Sequence, residues 1–405
     1  MNEVVLITVS GPDQQGLTAA ITDILASAGL KILDIGQSVI HDNLSLGMMV
    51  QLPKTESASS VLKDVLYKAY ELGMSVKFKP VEENSYQHWV EQQGKDRHIV
   101  TVLARVLTAE HLARVTDIVA QQGLNIDDIT RLSGRVPLAQ TDQEASKACV
   151  EFSIRGTAKD ELAMRAEFLN AASELDMDIA FQKDDVFRRN RRLVAFDMDS
   201  TLIEAEVIDE LAAEAGVGEQ VAEITELAMQ GQLDFKESFR RRMALLNGLE
   251  ESVLEKIAER LPITEGAERL IRNLKDLGYK TAILSGGFNY FGEFLQRKLG
   301  IDYVYANELE IVDGKVTGNV SGIVVDGQRK AELLQQIADQ DGIRLEQVIA
   351  VGDGANDLPM LGIAGLGIAF RAKPIVKESA KQSLSTLGLD GILYLLGFRD
   401  RDALH

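Results

Sequence analysis

The stretch LVAFDMD, from Leu193 to Asp199, decides the fold of the larger part of this chain. Its apolar residues predict a buried strand, and the acidic residues after them predict a polar loop at the carboxyl end of that strand. Two further segments repeat the arrangement: KTAILSGG from Lys280 to Gly287, and QVIAVGDGAND from Gln347 to Asp357. Strands and helical segments alternate from Arg192 to about Phe398, which predicts a doubly wound parallel sheet.

Polar side chains follow each of these apolar runs, at Asp197, Ser285 and Asp353. In open α/β sheets ligands bind outside the carboxyl ends of the strands, so we expect the three residues to meet at one crevice. One aspartate after a strand is an ordinary turn former. Three strand ends carrying DMDST, SGG and GDGAND together indicate a shared chemical site.

A block rich in Glu, Ala and Leu, about residues 205–262, separates the first of these strands from the second. Its composition is typical of helices. A helical insertion directly after the first strand predicts a cap over the carboxyl edge of the sheet.

Residues 1–180 contain an internal repeat. TDILASAGLKILDI (Thr22 to Ile35) and TDIVAQQGLNIDDI (Thr116 to Ile129) share nine of fourteen residues at an offset of 94. Each copy predicts the order βαββαβ, an α+β sandwich with helices on one face. We therefore predict three domains: residues 1–81, residues 97–184, and an α/β domain over residues 192–398.

Composition restricts the function. A formal net charge of −19 argues against non-specific nucleic-acid binding. No stretch approaches 18 uninterrupted apolar residues, so we expect no membrane span. The first residues, MNEVVLITVSGPDQQG, predict a strand and a turn rather than a signal peptide. The single cysteine, Cys149, rules out an intrachain disulfide and suits a reducing cytoplasm.

DMDSTLI, LSGG, the isolated Lys330 and GDGANDLPM, in this order, resemble the haloacid dehalogenase-like phosphatases over residues 192–398. The resemblance implies that Asp197 attacks phosphorus and becomes an aspartyl-phosphate. It implies that Asp199 first protonates the leaving oxygen and then activates water.

The resemblance also implies a Mg²⁺ site. Asp197, the backbone carbonyl of Asp199 and Asp353 would bind the ion, because Mg²⁺ prefers oxygen ligands. Asp357 would orient these ligands from outside.

Four further residues are implied to contact the phosphoryl group. Ser285, the Gly286 amide and Asn356 would bind its oxygens, and Lys330 would neutralise both the aspartate and the transferred group. By itself a lysine at the start of a helix is usually a surface residue, so its position between the motifs carries this role.

The cap segments IEAEVIDELA and MQGQLDFKESFRRRMALLNG resemble the cap of phosphoserine phosphatases. This implies O-phospho-L-serine as substrate, with Glu206 pairing with its ammonium and Arg242 with its carboxylate. Phe235 and Met229 would close the pocket. Three arginines, Arg240 to Arg242, are consecutive, and spacing alone does not choose among them; the resemblance selects Arg242.

The two N-terminal copies resemble ACT domains, which often bind amino acids and pair sheets between subunits. In copy one, the loop GPDQQGL offers Gly11, Asp13 and Gly16 to an amino-acid effector, with L-serine as the first candidate. Copy two has Arg105, Leu107 and Glu110 at these positions. We expect a homodimer through these domains, and the alternative that both copies serve only as dimer contacts stays open.

Two alternatives to a phosphoserine phosphatase remain from sequence. One is a phosphatase of the same chemistry that acts on a sugar phosphate or on protein phosphoserine. The other is a non-catalytic amino-acid sensor, against which the intact Asp197, Asp199, Lys330 and Asp353 argue.

Overall fold

The computed structural model describes residues 3–53, 56–94, 96–135, 137, 146–229 and 232–402. The chain divides into two compact units, Met1–Lys95 and Asp96–His405. None of the described helices is long and apolar enough to cross a bilayer.

The first unit is an antiparallel sheet with two helices packed on one face and a third helix after it. Its elements are β1 (Glu3–Pro12), α1 (Leu17–Ser27), β2 (Lys31–Ile40), β3 (Asn43–Leu52), α2 (Glu56–Glu71), β4 (Ser75–Val81) and α3 (Glu83–Gln92). The strand order is β2-β3-β1-β4. Alternate residues of β1, namely Val5, Ile7 and Val9, are buried, as a strand with one covered face requires.

The second unit begins with the same architecture. Its first elements are β5 (Arg97–Ala104), α4 (Ala109–Gln121), β6 (Asn125–Arg131), β7 (Ala148–Arg155), α5 (Glu161–Glu174) and β8 (Asp178–Lys183). The strand order β6-β7-β5-β8 matches that of the first copy, so the predicted βαββαβ repeat is confirmed. The stretch between the copies is helical in α3.

The rest of the second unit is the α/β part. Its elements are β9 (Leu193–Phe196), α6 (Val207–Glu214), α7 (Gly218–Met229), α8 (Phe235–Ala244), α9 (Ser252–Arg260), α10 (Ala267–Asp276), β10 (Lys280–Phe288), α11 (Asn289–Leu299), β11 (Tyr303–Val312), β12 (Lys315–Ser321), α12 (Gly327–Gln340), β13 (Val348–Gly352), α13 (Leu358–Ile363), β14 (Leu366–Phe370), α14 (Pro374–Ser379), β15 (Gln382–Leu384) and α15 (Ile392–Leu395).

These strands form one sheet in the order β12-β11-β10-β9-β13-β14-β15. The neighbours from β11 to β15 are parallel, as predicted, whereas β12 runs antiparallel to β11. The edge hairpin is therefore the departure from the predicted all-parallel sheet. Strands β9 and β13, in the centre, are buried throughout, which explains their continuous apolar runs.

Helices α6 to α9 form the predicted cap. Two linkers connect it to the sheet, and they pair with each other as a short antiparallel ribbon around Ile203 and Ile263. The cap meets the sheet part at the Phe239 and Phe288 rings, whose centroids are 6.1 Å apart. It also meets it at Lys236, whose Nζ lies 3.1 Å from Asp326 Oδ2.

The second ACT-like copy and the α/β part share buried polar contacts. The Gln382 amide in β15 accepts a hydrogen bond from Phe181 N–H in β8 at 2.8 Å and donates to the Phe181 carbonyl at 2.6 Å. The buried Asp178 accepts from the backbone amides of Ser385 and Thr386, each at 2.8 Å. These contacts join the two sheets edge to edge within one compact unit.

Candidate active site

Asp197 lies directly after β9, at the carboxyl edge of the sheet. Its backbone N–H donates to the Val351 carbonyl of the neighbouring β13 at 2.9 Å. Its Oδ1 accepts from the Met198 N–H at 2.7 Å. The strand and the next amide thus fix the direction of the carboxylate, which is nearly buried.

Lys330 lies in the first turn of α12 and has no exposed surface. Its Nζ is 2.8 Å from Asp197 Oδ2 and 2.7 Å from Asp357 Oδ1. Burial alone would lower the pKa of Lys330, but the two carboxylates raise it above its usual value. The ammonium therefore stays charged beside Asp197.

Three carboxylates form the acidic cluster of the site. Oxygens of Asp197, Asp353 and Asp357 lie within 4.8 Å of one another. Asp357 is already engaged, because its Oδ1 accepts from Lys330 and its Oδ2 from the Gly354 N–H at 2.9 Å. Asp197 is engaged at both oxygens in the same way, so these bonds orient the carboxylates and do not decide which of the three would donate oxygens to a cation.

Asp353 is held by a residue within the DMDST motif that is not one of the predicted site residues. The fully buried Thr201 donates its hydroxyl to Asp353 Oδ1 at 3.2 Å. Burial, together with the charges of Asp197 and Glu206, raises the pKa of Asp353 to about 7. A cluster of carboxylates with this much mutual repulsion suits a divalent cation, which supplies the missing positive charge.

Asp199 lies on the other side of Asp197, facing the cap. Its Oδ1 accepts from the Val207 N–H, the first amide of α6, at 3.2 Å. Burial raises the pKa of Asp199 well above its usual range, and the carboxylates of Glu206 and Asp197 raise it further. A carboxyl held in its protonated form is what a general acid requires.

The loop after β10 approaches these acids closely. Ser285 is fully buried, and its Oγ accepts from the Gly287 N–H at 2.9 Å. A Cβ at position 287 would lie 2.5 Å from Asp199 Oδ2, so glycine is required there. The Asn307 side-chain amide donates to the Gly286 carbonyl at 2.8 Å and holds the loop in place.

A cavity of about 700 Å³ lies between the sheet edge and the cap. Seven of the residues predicted from sequence line it: Asp197, Asp199, Glu206, Arg242, Gly286, Asp353 and Asn356. Three other predicted residues, Ser285, Lys330 and Asp357, are fully buried beside the cavity and do not line it. The side chains of Met229 and Phe235 lie outside the described part of the chain.

The structure distinguishes the three consecutive arginines of α8. Arg240 and Arg241 are exposed, and both pair with Glu237, at 2.7 and 2.8 Å. Arg242 lines the cavity, and its buried Nε has no hydrogen-bond partner among the described residues. Of these three arginines, Arg242 is therefore the one placed to contact a ligand in the cavity.

Several lining residues were missed from sequence. Phe239 forms an apolar wall, and the Asp209 carboxylate stabilises the charge of Arg242. Phe239 and Arg242 are three residues apart in α8, a spacing that puts two side chains on one helix face, and both line the cavity.

The first unit contains a smaller cavity of about 440 Å³ between β1 and α1. Asp13 and Gly16, two of the three residues predicted to contact an effector, line it together with Thr18 and Gln37, whereas Gly11 does not. The Thr18 hydroxyl donates to Gln37 Oε1 at 2.5 Å across this cavity.

The sheet order, the acidic strand ends and the helical cap together define a haloacid dehalogenase-like hydrolase. A family model with that description matches residues 191–365, and ACT-domain models match residues 3–79 and 96–182. The phosphoserine phosphatase SerB2 of Mycobacterium tuberculosis is 42% identical over 396 residues, 97% of this chain and 93% of that protein. The chain belongs to the phosphoserine phosphatase family, with two N-terminal ACT domains.

Two further relatives support the assignment to the phosphoserine phosphatase family. A phosphoserine phosphatase of Streptomyces coelicolor is 41% identical over 97% of this chain and 92% of its own length. The crystal structure of a probable phosphoserine phosphatase from Vibrio cholerae is 35% identical, with a TM-score of 0.59, and covers 76% of this chain and 87% of that one.

Proposed function

We propose that this chain hydrolyses O-phospho-L-serine to L-serine and inorganic phosphate through an aspartyl-phosphate on Asp197. The observation that carries the proposal is the 700 Å³ cavity, which has Asp197 at the sheet edge and Glu206 and Arg242 on the cap. Phosphoserine has matching groups: a phosphoryl group at one end and an ammonium and a carboxylate at the other.

In the first step an Asp197 oxygen forms a bond to phosphorus as the bond from phosphorus to the serine oxygen breaks. Asp199 gives its proton to that oxygen, so L-serine leaves neutralised. In the second step the Asp199 carboxylate takes a proton from water, whose oxygen attacks phosphorus. The bond to Asp197 breaks, phosphate leaves, and both carboxyl groups return to their starting states.

The chain is expected to use a divalent metal, and we propose Mg²⁺, held by Asp197, Asp353 and the backbone carbonyl of Asp199. The bound ion would supply charge neutralisation at the phosphoryl oxygens. Lys330 supplies a fixed positive charge on the other side, and Asp357 orients both Lys330 and the Gly354 amide. Ser285, the Gly286 amide and Asn356 are proposed to bind the phosphoryl oxygens.

Glu206 and Arg242 are proposed to choose the substrate. Glu206 Oε1 accepts a hydrogen bond from the Ser200 hydroxyl at 2.7 Å. This bond orients the carboxylate and leaves its other oxygen for the substrate ammonium. The planar guanidinium of Arg242 matches a carboxylate bidentately. A sugar phosphate offers neither group, and a protein phosphoserine has its amino and carboxyl groups in peptide bonds.

Comparing kcat/KM for phosphoserine, a sugar phosphate and a phosphoserine peptide, with Mg²⁺ present, tests the substrate. We expect a preference for free phosphoserine of about 10²-fold or more, because two charged pairs are lost with the others. Equal turnover of all three would contradict the substrate assignment, and absence of turnover with every one would favour the non-catalytic sensor.

We further propose that the first ACT domain binds an amino-acid effector, with L-serine as the first candidate. The 440 Å³ cavity beside Asp13 and Gly16 supports this. In the full chain, Asp13→Ala should abolish any response of turnover to L-serine or glycine, whereas Asp23→Ala, on the exposed side of α1, should not. A serine response that survives Asp13→Ala would contradict the site.

A homodimer through the ACT domains is also proposed. Strand β2 is an edge strand, and its Ile32, Ile35, Val39 and Ile40 are 42%, 48%, 40% and 76% exposed. An edge with this many exposed apolar side chains favours pairing with another copy. Light scattering of the parent and of Ile35→Lys measures the oligomeric state of each chain. We expect a dimeric parent and a weakened dimer in the variant, and a monomeric parent would contradict the proposal.

We also propose a cytoplasmic location and a role in the last step of serine synthesis.

A further inference from the structure

The second ACT domain contacts the phosphatase part through Arg105, the residue that follows β5. Its Nη1 donates to Glu265 Oε1 at 2.9 Å and its Nη2 to Glu265 Oε2 at 2.7 Å. Such a bidentate pair fixes direction as well as distance. The Ser146 hydroxyl holds the loop by donating to the Arg105 carbonyl at 2.7 Å.

Glu265 lies at the end of the linker that returns from the cap. The two linkers form what we call the hinge ribbon, residues 202–204 and 262–264. Glu204 N–H donates to the Pro262 carbonyl at 2.9 Å, and Thr264 N–H donates to the Leu202 carbonyl at 3.0 Å. Every connection between cap and sheet along the chain passes through this ribbon.

Arg371 connects Glu204 of the hinge ribbon with Glu265, the residue directly after residues 262–264. Its Nη1 donates to Glu204 Oε1 at 2.8 Å and its Nη2 to Glu265 Oε2 at 2.9 Å. The φ of Arg371 is 44°, in the left-handed region, a conformation that persists in a non-glycine residue only when its surroundings hold it. The ion pairs therefore run without a break from Arg105 through Glu265 and Arg371 to Glu204.

The hinge ribbon lies next to the catalytic groups in the chain. Asp199 precedes Glu204 by five residues and Glu206 follows it by two. Between them Ser200, with φ of 56°, donates to Glu206. A shift of the ribbon would therefore move the proposed general acid and the proposed ammonium reader together.

The first ACT domain has no guanidinium at the equivalent position. Gly11 stands at the position of Arg105, and a Cβ there would lie 2.8 Å from the Met74 Sδ. The same loop thus borders a cavity in copy one and contacts the cap linker in copy two.

We propose that Arg105 is a positioning residue for the cap: through Glu265 and Arg371 it holds the hinge ribbon in the closed arrangement. The contacts of Phe239 with Phe288 and of Lys236 with Asp326 mark that arrangement as closed. The proposal rests on the proposed phosphoserine hydrolysis. It gives the second ACT domain a mechanical role in turnover that needs no effector.

The test uses the full chain with Arg105→Ala and, as a matched control, Arg155→Ala. Arg155 makes a similar bidentate pair with Asp127, at 2.9 and 3.0 Å, but within the second ACT domain. Two readouts are needed: KM and kcat for phosphoserine, and amide hydrogen exchange of residues 200–206 and 261–266. Exchange requires no turnover, so it separates this proposal from the phosphatase assignment.

Loss of Arg105 should shift the cap towards opening, raising KM about three- to tenfold while kcat changes less than about twofold. Exchange in the hinge ribbon should accelerate in Arg105→Ala and not in Arg155→Ala. Partly exposed ion pairs contribute little to global stability, so the melting temperature should barely move. Glu265→Gln, which weakens the contacts to both arginines, should repeat the effect.

Arg105→Lys keeps the charge without the fork and should give an intermediate KM. If Arg105→Ala does not fold, the KM and the hinge exchange of Arg105→Lys test the proposal in its place. Parental KM and parental hinge exchange in folded Arg105→Ala or Glu265→Gln would overturn the proposal. Equal effects of Arg155→Ala would overturn it too, because they would indicate general loosening of the domain.

Discussion

The ammonium of Lys330 lies 2.8 Å from Asp197 Oδ2, and no part of the lysine side chain reaches solvent. A charge buried this deeply depends on its partners, which here are Asp197 and Asp357. The arrangement places a cation directly beside the proposed nucleophile, where the same cation can face the transferred phosphoryl group.

Replacing Lys330 with methionine keeps the approximate length of the side chain and removes its charge. Two buried carboxylates then lose their cation, so we expect the free energy of unfolding to fall by about 3 kcal/mol. We expect kcat to fall by about 10²-fold or more. Denaturant titration and phosphoserine kinetics measure the two effects. The control is Arg329→Met, whose guanidinium pairs with Glu332 at 3.0 Å on the helix surface. A Lys330→Met chain with parental kcat would refute the charge role.

Arg242→Lys should raise KM for phosphoserine by about tenfold or more, because lysine cannot hold a carboxylate bidentately. Arg240→Lys and Arg241→Lys should behave like the parent, since both side chains point to Glu237. Turnover of p-nitrophenyl phosphate, which has no amino-acid end, should change little in all three. If Arg240→Lys or Arg241→Lys gave the largest KM, the choice of Arg242 would be wrong.

Thr201→Val removes one hydroxyl in a fully buried position and leaves the shape nearly unchanged. Asp353 then loses the donor at 3.2 Å that orients it. We expect the Mg²⁺ concentration for half-maximal activity to rise about tenfold, as for other residues that orient metal ligands. Thr201→Ser keeps the hydroxyl and should keep the metal dependence. Identical Mg²⁺ curves for valine and serine would show that this hydrogen bond has no such role.

Gln382→Leu should destabilise the second unit by about 2 kcal/mol, because the Phe181 N–H and carbonyl lose their partners in a buried interface. Denaturant unfolding measures this. Gln335→Leu, which removes an exposed bond to Asp339 at 2.8 Å, is the control and should change stability little. A truncated chain that keeps this interface intact should begin at Asp96, the first residue of the second unit. A Gln382→Leu chain as stable as the parent would mean that the two sheets do not depend on this amide.

Local patterns explain what could be predicted. LVAF and VIAV are buried central strands, and continuous apolar runs identify such strands directly. The Asp313–Gly314 pair between β11 and β12, both with positive φ, is the usual signal of a tight hairpin and could have indicated the antiparallel edge.

Contacts between distant segments could not be predicted in this way. Arg105 and Glu265 are 160 residues apart, and neither carries a local mark of the pair. Lys330 resembles an ordinary first-turn lysine in sequence, and only the fold brings its Nζ to the acids that follow β9 and β13. Thr201 and Phe239 lie in motifs from which other residues were predicted to form the site. Only the fold shows that Thr201 contacts Asp353 and that Phe239 lines the cavity.

The most direct test of the central claim, that Asp197 is the nucleophile, is to trap the covalent intermediate. The chain is mixed with phosphoserine labelled in its phosphoryl group, quenched in acid within one turnover, digested, and the labelled peptide sequenced. We expect the label on Asp197 and none in Asp197→Asn, which should also lose turnover. Label on another residue, or turnover of Asp197→Asn at the parental rate, would contradict the assignment.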